Sequence, residues 1–499
     1  MTAQTSEKQA AQDSDPGKGR WNGKVWAQAF RRASQTKAWT LGFESLDVER
    51  LDAPALRIEG RLPARLRGTL YRNGPARHER GGQRYGHRYD GDGMVQAFVF
   101  GDDQIAHHGR FVQTEKYRQE QAAGRFLHTA FGTAIPGAEP MPQPLDKVNV
   151  ANINALPFAG EVLALWEPGS AYRLDPRTLE TIGMKTWSAD LQSAPFSAHP
   201  KVEPDGSLWN FGVDPKHNVL YLYHVSAAGA LVRMHSLKLD RLSPVHDVAV
   251  TQRHLVFLLP PLFFNLEELE QGASFAEACE WQPKFGMRAL VIAKEDWSQR
   301  WYDLPLGFLF HTGNAWEDEA GVIRLDYMRA GDPYSLVAGW SVMRGEYRYA
   351  PGAEMTLLTL DPRSGKVEQT KISGEAEFPR VDPRLAGRRY RRVIAVGRSA
   401  GRDRSSFGFD EIRAIDVGTG AMETFNYGPQ WLVEEHILVP APADDKEGSG
   451  WIVGTALNLA AKSTIVSVFD AGSIAAGPIA QARLPYALPL GLHGNFRAR

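Results

Sequence analysis

Short apolar segments separated by turn residues recur along almost the whole chain, and this alternation restricts the fold more than any other feature of the sequence. Typical segments are residues 96–100, 220–224 and 464–469. Turn signals such as Glu203-Pro-Asp-Gly and Asp361-Pro-Arg-Ser-Gly lie between segments of this kind. Proline, glycine and aspartate favour the backbone angles of tight turns, so each pair of segments is typical of a hairpin. The sequence therefore predicts an all-β fold.

The number of strands and the length of the chain restrict which all-β architecture is possible. Dense short strands are typical of barrels, sandwiches and β-propellers. At 499 residues a propeller fits best, because about seven four-stranded blades would use most of the chain. Helices are expected at about residues 26–38 and over residues 266–280, where the helical insert would cap one face of the propeller.

The domain organisation follows from how proline and glycine are distributed. Length alone would suggest about three domains. However, proline and glycine are scattered rather than pooled, so no linker divides the chain. We predict a disordered polar tail over residues 1–22 and one β-propeller domain over residues 23–499.

Composition and charge argue against several classes of protein. The 57 basic and 58 acidic residues nearly cancel, so nothing indicates a nucleic-acid partner. Cys279 is the only cysteine, which excludes a disulfide framework. Residues 1–20 lack the apolar stretch of a signal peptide. The most apolar run, residues 255–264, contains Pro260 and Pro261 and is shorter than the roughly 20 residues of a membrane helix. We expect a soluble cytoplasmic protein.

Four of the 14 histidines lie in distinct sequence contexts that are far apart in the chain. They are His199 in Ser-Ala-His-Pro-Lys, His246 in Val-His-Asp-Val-Ala-Val, His311 in Phe-His-Thr-Gly-Asn-Ala-Trp-Glu and His493 in Leu-His-Gly-Asn-Phe. No single helix or hairpin could bring them together, whereas a closed fold that returns its strands to one axis could. Imidazole alone does not identify a metal, since it binds Zn, Cu, Fe and Ni. Five others are expected at the surface: His78, His87, His107, His108 and His128.

Six motifs occur in a characteristic order between about residues 60 and 496. They are Gly68-Thr-Leu-Tyr-Arg-Asn-Gly-Pro75, Asp90-Gly-Asp-Gly-Met94 and the segments around His199, His246, His311 and His493. In this order they resemble the motifs of the carotenoid cleavage oxygenase family. The resemblance implies a seven-bladed propeller with one Fe(II) per chain on its axis. It also implies that the four histidines hold the iron without a carboxylate ligand.

The family resemblance also implies glutamates behind three of the four histidines. By motif, Glu167, Glu377 and Glu435 would bond to His246, His311 and His493 respectively. Such a carboxylate fixes the tautomer of a metal-bound imidazole and raises its basicity. Glu434 is the alternative to Glu435, which we prefer because its spacing to Val439-Pro440 matches the family pattern.

What the resemblance implies for activity is the addition of O2 across an electron-rich C=C bond, which gives two carbonyl products. The partners would be O2 and a hydrophobic alkene, with peripheral membrane contact during substrate uptake. Relatives that cleave stilbenes grip a phenol with a lysine and a tyrosine, and here Trp166 and Phe111 stand at those positions. Ile153 replaces a threonine that many members place near the iron. We therefore expect an apolar polyene, a carotenoid or apocarotenoid, as the substrate.

Three other functions are alternatives to polyene cleavage. Cleavage of stilbenes or phenylpropenoids is the first alternative, since it needs the same iron site. A catalytically silent propeller that serves as a binding scaffold is the second, and the complete set of histidines and glutamates argues against it. A retinoid isomerohydrolase is the third, and the membrane and palmitoylation context of such an enzyme has no visible counterpart in this sequence.

Overall fold

The structure, a computed structural model, describes residues 21–442 and 444–499, and antiparallel strands dominate it. The predicted tail lies outside the described residues except for Trp21 and Asn22. The Asn22 side chain accepts a hydrogen bond of 3.2 Å from the Val25 backbone N–H and so caps the first helix. Among the described residues, no helix is both long and apolar enough to cross a membrane.

Helices are few in the described part of the chain. The α-helices are α1 (Gly23–Ser34), α2 (Glu115–Ala123), α3 (Leu266–Glu270) and α4 (Tyr334–Met343). Single turns of 3₁₀-helix cover Ala38–Phe43, Leu145–Val148, Ala189–Leu191, Pro283–Phe285, Pro383–Leu385 and Ile474–Ala476.

Both predicted helices differ from the observed ones. The first helix begins three residues earlier than expected, because Asn22 caps it, and it ends at Ser34. The prediction of a helix over residues 266–280 is wrong beyond Glu270. Gly272 follows with a φ of +97°, which no helix continues, and residues 279–281 pair with residues 262–264 as a short hairpin.

Strands fill most of the remaining chain. The strands up to residue 250 are β1 (Arg50–Ala53), β2 (Arg57–Gly60), β3 (Gly68–Arg77), β4 (Glu79–Arg80), β5 (Gln83–Arg84), β6 (Asp92–Phe100), β7 (Ile105–Phe111), β8 (Asn154–Phe158), β9 (Glu161–Leu165), β10 (Tyr172–Leu174), β11 (Thr181–Met184), β12 (Lys201–Val202), β13 (Leu208–Asp214), β14 (Val219–Val225), β15 (Leu231–Lys238) and β16 (Ala249–Val250). Those after it are β17 (His254–Leu259), β18 (Leu262–Phe264), β19 (Cys279–Trp281), β20 (Met287–Ala293), β21 (Gln299–Leu304), β22 (Phe308–Glu317), β23 (Ile323–Ala330), β24 (Glu354–Leu360), β25 (Val367–Arg380), β26 (Arg392–Gly397), β27 (Glu411–Asp416), β28 (Met422–Asn426), β29 (Trp431–Pro440), β30 (Gly450–Asn458), β31 (Ser463–Asp470), β32 (Pro478–Arg483) and β33 (Gly494–Ala498).

These strands form six larger sheets, in which most neighbours in space are also neighbours in sequence. Three sheets have the orders β11-β10-β9-β8, β12-β13-β14-β15 and β16-β17-β20-β21, and a fourth runs from β22 to β28. In that fourth sheet the long strand β25 pairs with β24 along its first half and with β26 near its end. The prediction of an all-β fold is confirmed.

The remaining two large sheets join the start of the chain to its end. Their orders are β1-β7-β6-β3-β33 and β2-β32-β31-β30-β29. In the first, Gly68 to Arg72 pair with Ala498 to Gly494 in antiparallel register. The C-terminal strand is therefore fixed beside an N-terminal one, and this pairing positions the residues just before β33.

The core consists of apolar clusters that neighbouring sheets share. One cluster packs Phe98 of β6 against Val453 and Val466 of β30 and β31. Another packs Phe211 of β13 against Phe257 of β17. Successive sheets therefore cover each other's faces with apolar side chains, as expected when strand residues alternate between two faces.

Candidate metal centre

The four singled-out histidines, hereafter the histidine cluster, lie together in the folded chain. One ring nitrogen of each falls within 4.8 Å of those of the others. His311 lies on β22, whereas His199, His246 and His493 lie in the segments that lead into β12, β16 and β33. Each of these strands is the edge strand of its sheet. Edges of four sheets therefore meet at one point, although 294 residues separate the first histidine from the last.

The spacing of the ring nitrogens fits a metal ion. Nε2 of His311 lies 3.3 Å from Nε2 of His246 and 3.1 Å from Nε2 of His493. Two imidazole nitrogens that bind one ion at about 2.1 Å and at right angles would be about 3.0 Å apart. The buried Nε2 of His199 has no hydrogen-bond partner among the described residues. A cation would satisfy all of these nitrogens at once.

A glutamate stands behind three of the four rings, paired as the motifs predicted. Nδ1 of His311 donates to Glu377 at 2.6 Å, and Nδ1 of His493 donates to Glu435 at 3.0 Å. Nδ1 of His246 donates to Glu167 in a very short contact. These bonds hold the proton on Nδ1 and leave Nε2 free as a donor to a metal.

The choice between Glu434 and Glu435 is resolved by their contacts. Glu435 bonds to the His493 ring, whereas Glu434 accepts a hydrogen bond from the Gly491 backbone and lies 3.5 Å from Arg72. Glu434 therefore supports the segment before His493 and not the ring itself.

Cations surround Glu435 and keep it ionised. Arg72 lies 3.2 Å from one carboxylate oxygen and Arg380 lies 3.4 Å from the other, while the Gly494 backbone N–H donates at 2.8 Å. Burial works against the charged form, but Arg380 and His493 outweigh it and lower the pKa of Glu435 to about 2. The carboxylate behind His493 is thus an anion at any pH near neutrality.

The protonation of the histidines also suits a cation. Burial holds the pKa of His199 well below its usual range and lowers that of His493 to about 4. Burial disfavours the charged form of His246 too, but the Glu167 carboxylate outweighs it and raises the pKa of His246. Neutral rings can bind a metal ion, and the carboxylate beside His246 favours a positive charge there, whether a proton or a metal ion carries it.

Irregular strand pairing occurs where strands carry site residues. The pairing register shifts at three places: between Leu309 and Thr312 on β22, between Glu377 and Arg380 on β25, and between Val433 and His436 on β29. A bulge of this kind bends a strand and redirects a side chain. His311, Glu377 and Glu435 each lie within or at the border of such a shift.

Phe378 adds backbone strain at the same place. Its φ is +55°, a value that costs a non-glycine residue about 1–3 kcal/mol. Its ring lies 5.3 Å from that of His311 and 5.1 Å from that of His493, and its backbone N–H donates to Glu377 at 2.9 Å. This strained residue of β25 therefore covers two of the four histidines and also orients a glutamate.

Asp247 connects the segments of the histidine cluster, and the sequence analysis did not single it out. Its carboxylate accepts hydrogen bonds of 2.8 and 2.9 Å from the backbone and hydroxyl of Thr312, and it lies 2.9 Å from Lys201. It directly follows His246, and Thr312 directly follows His311. The Asp of the His-Asp pair was the available signal, because a buried carboxylate beside a ligand is rarely without a role.

An apolar cavity of about 150 Å³, hereafter the apolar chamber, opens onto the cluster. His246, His311 and His493 line it, together with Glu167. The apolar part of the lining includes Ile153, Trp166, Leu262, Phe264, Phe131 and Phe310. The most apolar run of the sequence, residues 255–264, contributes to two places. Its first part is a strand that packs in the core, and of the whole run only Leu262 and Phe264 line the chamber.

Two of the three residues predicted for the substrate pocket lie there, and the third does not. Ile153 and Trp166 line the chamber. Phe111 is fully buried in a separate cluster with Met94 and Tyr117, because the alternation along β7 places it on the face of the sheet that also carries Met94, its partner on β6. Phe131, from an irregular segment, is an aromatic lining residue that sequence reasoning missed.

The five histidines expected at the surface take no part in the cluster. The expectation of exposure is wrong for His78, His87 and His107, which are buried. Each of them packs against or bonds to other parts of the protein. For example, Nε2 of His87 bonds to the Leu336 carbonyl at 2.8 Å.

Comparison with known proteins assigns the family. Residues 43–498 match the RPE65 family, described as retinal pigment epithelial membrane protein, so the chain belongs to this family. The predicted resemblance to carotenoid cleavage oxygenases is confirmed.

Relatives of known activity span nearly the whole chain. Apocarotenoid-15,15'-oxygenase of Synechocystis sp. is 29% identical over 93% of this chain and 97% of its own. Lignostilbene-alpha,beta-dioxygenase isozyme III of Sphingomonas paucimobilis is 29% identical over 88% of this chain and 93% of its own. The structure of a cobalt-substituted Synechocystis apocarotenoid oxygenase superposes with a TM-score of 0.85 at 28% identity, covering 93% of this chain and 98% of that one.

Proposed function

We propose that this protein is an Fe(II) dioxygenase that cleaves a conjugated C=C bond of an apolar polyene, a carotenoid or apocarotenoid, with O2 to give two aldehydes. The observation that carries the proposal is the opening of a four-histidine cluster onto an apolar chamber. Both oxygen atoms of O2 are used in the two carbonyl groups, so no further reductant is required. The relatives that cleave carotenoids and apocarotenoids support this reaction.

Iron(II), one ion per chain, is the metal we propose for the histidine cluster. Imidazole nitrogens suit iron as well as zinc, copper and nickel, so the donor set permits iron without selecting it. When bound, the ion would supply a redox-active centre at which O2 and the alkene react. Four neutral donors would leave its double positive charge in place. The glutamates behind the rings then balance that charge from a distance.

The protein's own part in the reaction is binding, orientation and exclusion of water. Phe310, Phe131 and Trp166 offer apolar surface on which a polyene can lie. Burying such a chain is favourable by about 25 cal/mol per Å² of apolar surface. Glu167, Glu377 and Glu435 keep the rings in one tautomer and orientation. The reacting double bond is thus held in a dry space beside the metal position.

For the whole fold we propose a single seven-bladed propeller over residues 23–499. Support comes from the sheets: the one that runs from β22 to β28 would count as two blades that share β25, and the five other large sheets would each form one. The edge strands that carry the histidines would then be innermost. A cytoplasmic location and peripheral membrane contact during substrate uptake stay predictions.

Cleavage of a hydroxystilbene is the second candidate function. Tyr89 lines the chamber and carries a hydroxyl that could bind a phenol, and this chain is similar in sequence to proteins named lignostilbene dioxygenase, resveratrol cleavage oxygenase and isoeugenol monooxygenase. Against it, Trp166 stands where relatives that cleave stilbenes carry a lysine and offers a phenol no counterpart there, and Phe131 is apolar as well. An unpaired buried hydroxyl costs about 1–3 kcal/mol, which disfavours a phenol by roughly one to two orders of magnitude.

One experiment separates the two candidates. The protein is loaded with iron under anaerobic conditions, exposed to O2 and supplied with a panel of apocarotenals and hydroxystilbenes, and products are identified by mass spectrometry. We expect a kcat/KM for an apocarotenal well above that for resveratrol or isoeugenol. A clear preference for the hydroxystilbene would replace the proposed substrate, and purification without stoichiometric iron would favour a silent scaffold.

A further inference from the structure

A second cavity, hereafter the polar arm, adjoins the apolar chamber beside His311. Its volume is about 530 Å³. The two cavities share lining residues, among them Tyr89, Phe310, His311 and Phe378. Unlike the chamber, the polar arm is lined by several charged side chains, which are Arg88, Asp332, Arg348, Glu375, Glu377 and Glu434. A ligand that extends from the chamber into the polar arm therefore comes near charged side chains at one end.

The carboxylates of the polar arm already have donors. Glu377 accepts from His311, and Glu434 accepts from the Gly491 backbone. Glu375 accepts from the Tyr349 hydroxyl at 3.1 Å. Asp332 accepts from the backbone at the start of α4. These acids bond to other groups of the protein, and among the described residues none of them lies within 4.0 Å of Arg88 or Arg348 as an ion pair.

Arg88 is different, because its positive charge has no acidic partner. No carboxylate of the described residues lies within 4.0 Å of its guanidinium, and its buried Nε has no hydrogen-bond partner. The group is half-buried and lies over the Tyr89 ring at 4.5 Å and near the Phe407 ring at 5.8 Å. It also donates to the Tyr89 hydroxyl in a very short contact.

We propose that Arg88, together with Tyr89, binds a carboxylate at one end of the polyene substrate. The guanidinium lies over the Tyr89 ring, with the Phe407 ring near it, and these contacts limit the positions that it can take. A carboxylate fits the planar guanidinium with two parallel hydrogen bonds, and the resulting pair is stronger than one between neutral groups. Because Arg88 already donates to the Tyr89 oxygen, the Tyr89 hydroxyl proton is free to donate to the same carboxylate.

This inference rests on the proposed function and restricts the proposed substrates from polyenes in general to polyenes with a carboxylate at one end. The apolar body of the ligand would lie in the chamber, while its charged end would lie in the adjoining polar arm. A half-buried arginine without a counter-ion is costly, and a carboxylate ligand would remove that cost. The substrate would therefore be a polyene acid, and a neutral hydrocarbon would bind less well.

The test measures binding without turnover. All-trans-retinoate and its neutral methyl ester share one skeleton, and retinol offers a neutral polar end. Their affinities are measured anaerobically by quenching of tryptophan fluorescence, using wild type, Arg88→Met and Arg88→Lys. We expect wild type to bind retinoate roughly 10–100-fold more tightly than the ester, as for a hydrogen bond to a charged group. Arg88→Met should abolish this difference, and Arg88→Lys should keep part of it.

Two controls make the outcome specific. Arg348→Met removes the exposed arginine of the same arm and should preserve most of the preference for retinoate. Phe275→Ala, in the apolar chamber, should weaken all three ligands alike. Equal binding of retinoate and its ester by wild type would overturn the inference, as would an Arg88→Met effect that is the same for all ligands.

Failure of this inference is distinguishable from failure of the proposed function. Preference for retinoate through Arg88 without cleavage of any polyene under O2 would sustain the binding site and reject the reaction. Cleavage of neutral polyenes by a protein that binds acid and ester equally would sustain the reaction and reject the role of Arg88.

Discussion

At the scale of single residues, the four histidines offer the same imidazole group but differ in the hydrogen-bond partner of the second ring nitrogen. In three rings Nδ1 donates a hydrogen bond to a glutamate, whereas no hydrogen bond between the ring of His199 and a carboxylate is present among the described residues. A carboxylate partner raises the basicity of the ring and so strengthens its bond to a metal. His199 should therefore be the weakest of the four donors.

His311 is the residue whose loss should matter most. Its Nε2 lies 3.3 Å from that of His246 and 3.1 Å from that of His493, so it is close to two other members of the cluster. In His311→Ala we expect loss of stoichiometric iron and of polyene cleavage, because three donors leave the ion open to water and exchange. Metal analysis and product formation check this. His217→Ala, which changes an exposed histidine bonded to Asp214, is the matched control. Full iron occupancy with normal turnover would refute the ligand role.

Glu377→Gln tests the carboxylate behind a ligand without changing its shape. The amide oxygen can still accept from His311, but the negative charge that polarises the ring is lost. We expect iron affinity or activity to fall by roughly 10–100-fold. Glu368→Gln, an exposed position on the same strand, should leave both unchanged. Wild-type values for both quantities in Glu377→Gln would make its bond to His311 incidental.

At the scale of elements, the strands were predictable and their irregularities were not. Alternating apolar segments and turn residues gave an all-β chain, and motif order gave the four histidines and the glutamates that face them. The bulges at His311, Glu377 and Glu435 depend on pairing partners far away in the chain, which local periodicity does not specify. Phe111 illustrates the same limit: the family motif indicated its position in the chain, but the face of β7 that it occupies depends on the surrounding sheet.

The helical insert shows why composition misled. Residues 266–280 are rich in glutamate, alanine and leucine, which favour a helix. Antiparallel pairing of residues 279–281 with residues 262–264 overrides this helix propensity, because it provides hydrogen-bond partners for backbone N–H and C=O groups beside the apolar chamber. The aromatic Phe264 is thereby placed on the chamber wall.

Asp247 offers a test of how loops and strands are held in register around the metal position. In Asp247→Ala the segment after His246 loses its bonds to Thr312, and Lys201 loses its counter-ion. We expect iron affinity to fall about 10–100-fold while the circular dichroism of the sheets is retained. Asp247→Asn, which keeps one oxygen for Thr312, should be milder. Equal, wild-type affinity in both variants would show that Asp247 only fills space.

At the scale of the whole molecule, closure of the chain and assembly of the cluster are coupled. Pairing of β33 with β3 joins the two ends of the chain, and His493 directly precedes β33. Its backbone N–H donates to the Ile153 carbonyl at 3.1 Å, and its carbonyl accepts from Asn73 at 2.9 Å. An ion bound to His493 and to three other sheets would therefore oppose separation of the C-terminal strand.

This coupling predicts that removal of iron lowers thermal stability. A ligand present at 1,000 times its Kd stabilises the folded state by about 4 kcal/mol, since only that state brings the four nitrogens together. With an unfolding entropy of about 2 cal/mol/K per residue, a domain of this size changes its Tm by about 1 °C per kcal/mol. Scanning calorimetry should thus show a Tm about 4 °C higher after anaerobic reloading of the chelated protein. His311→Ala should show almost no such rise. A reloaded wild type that melts at the temperature of the apoprotein would mean that the histidine cluster binds no ion.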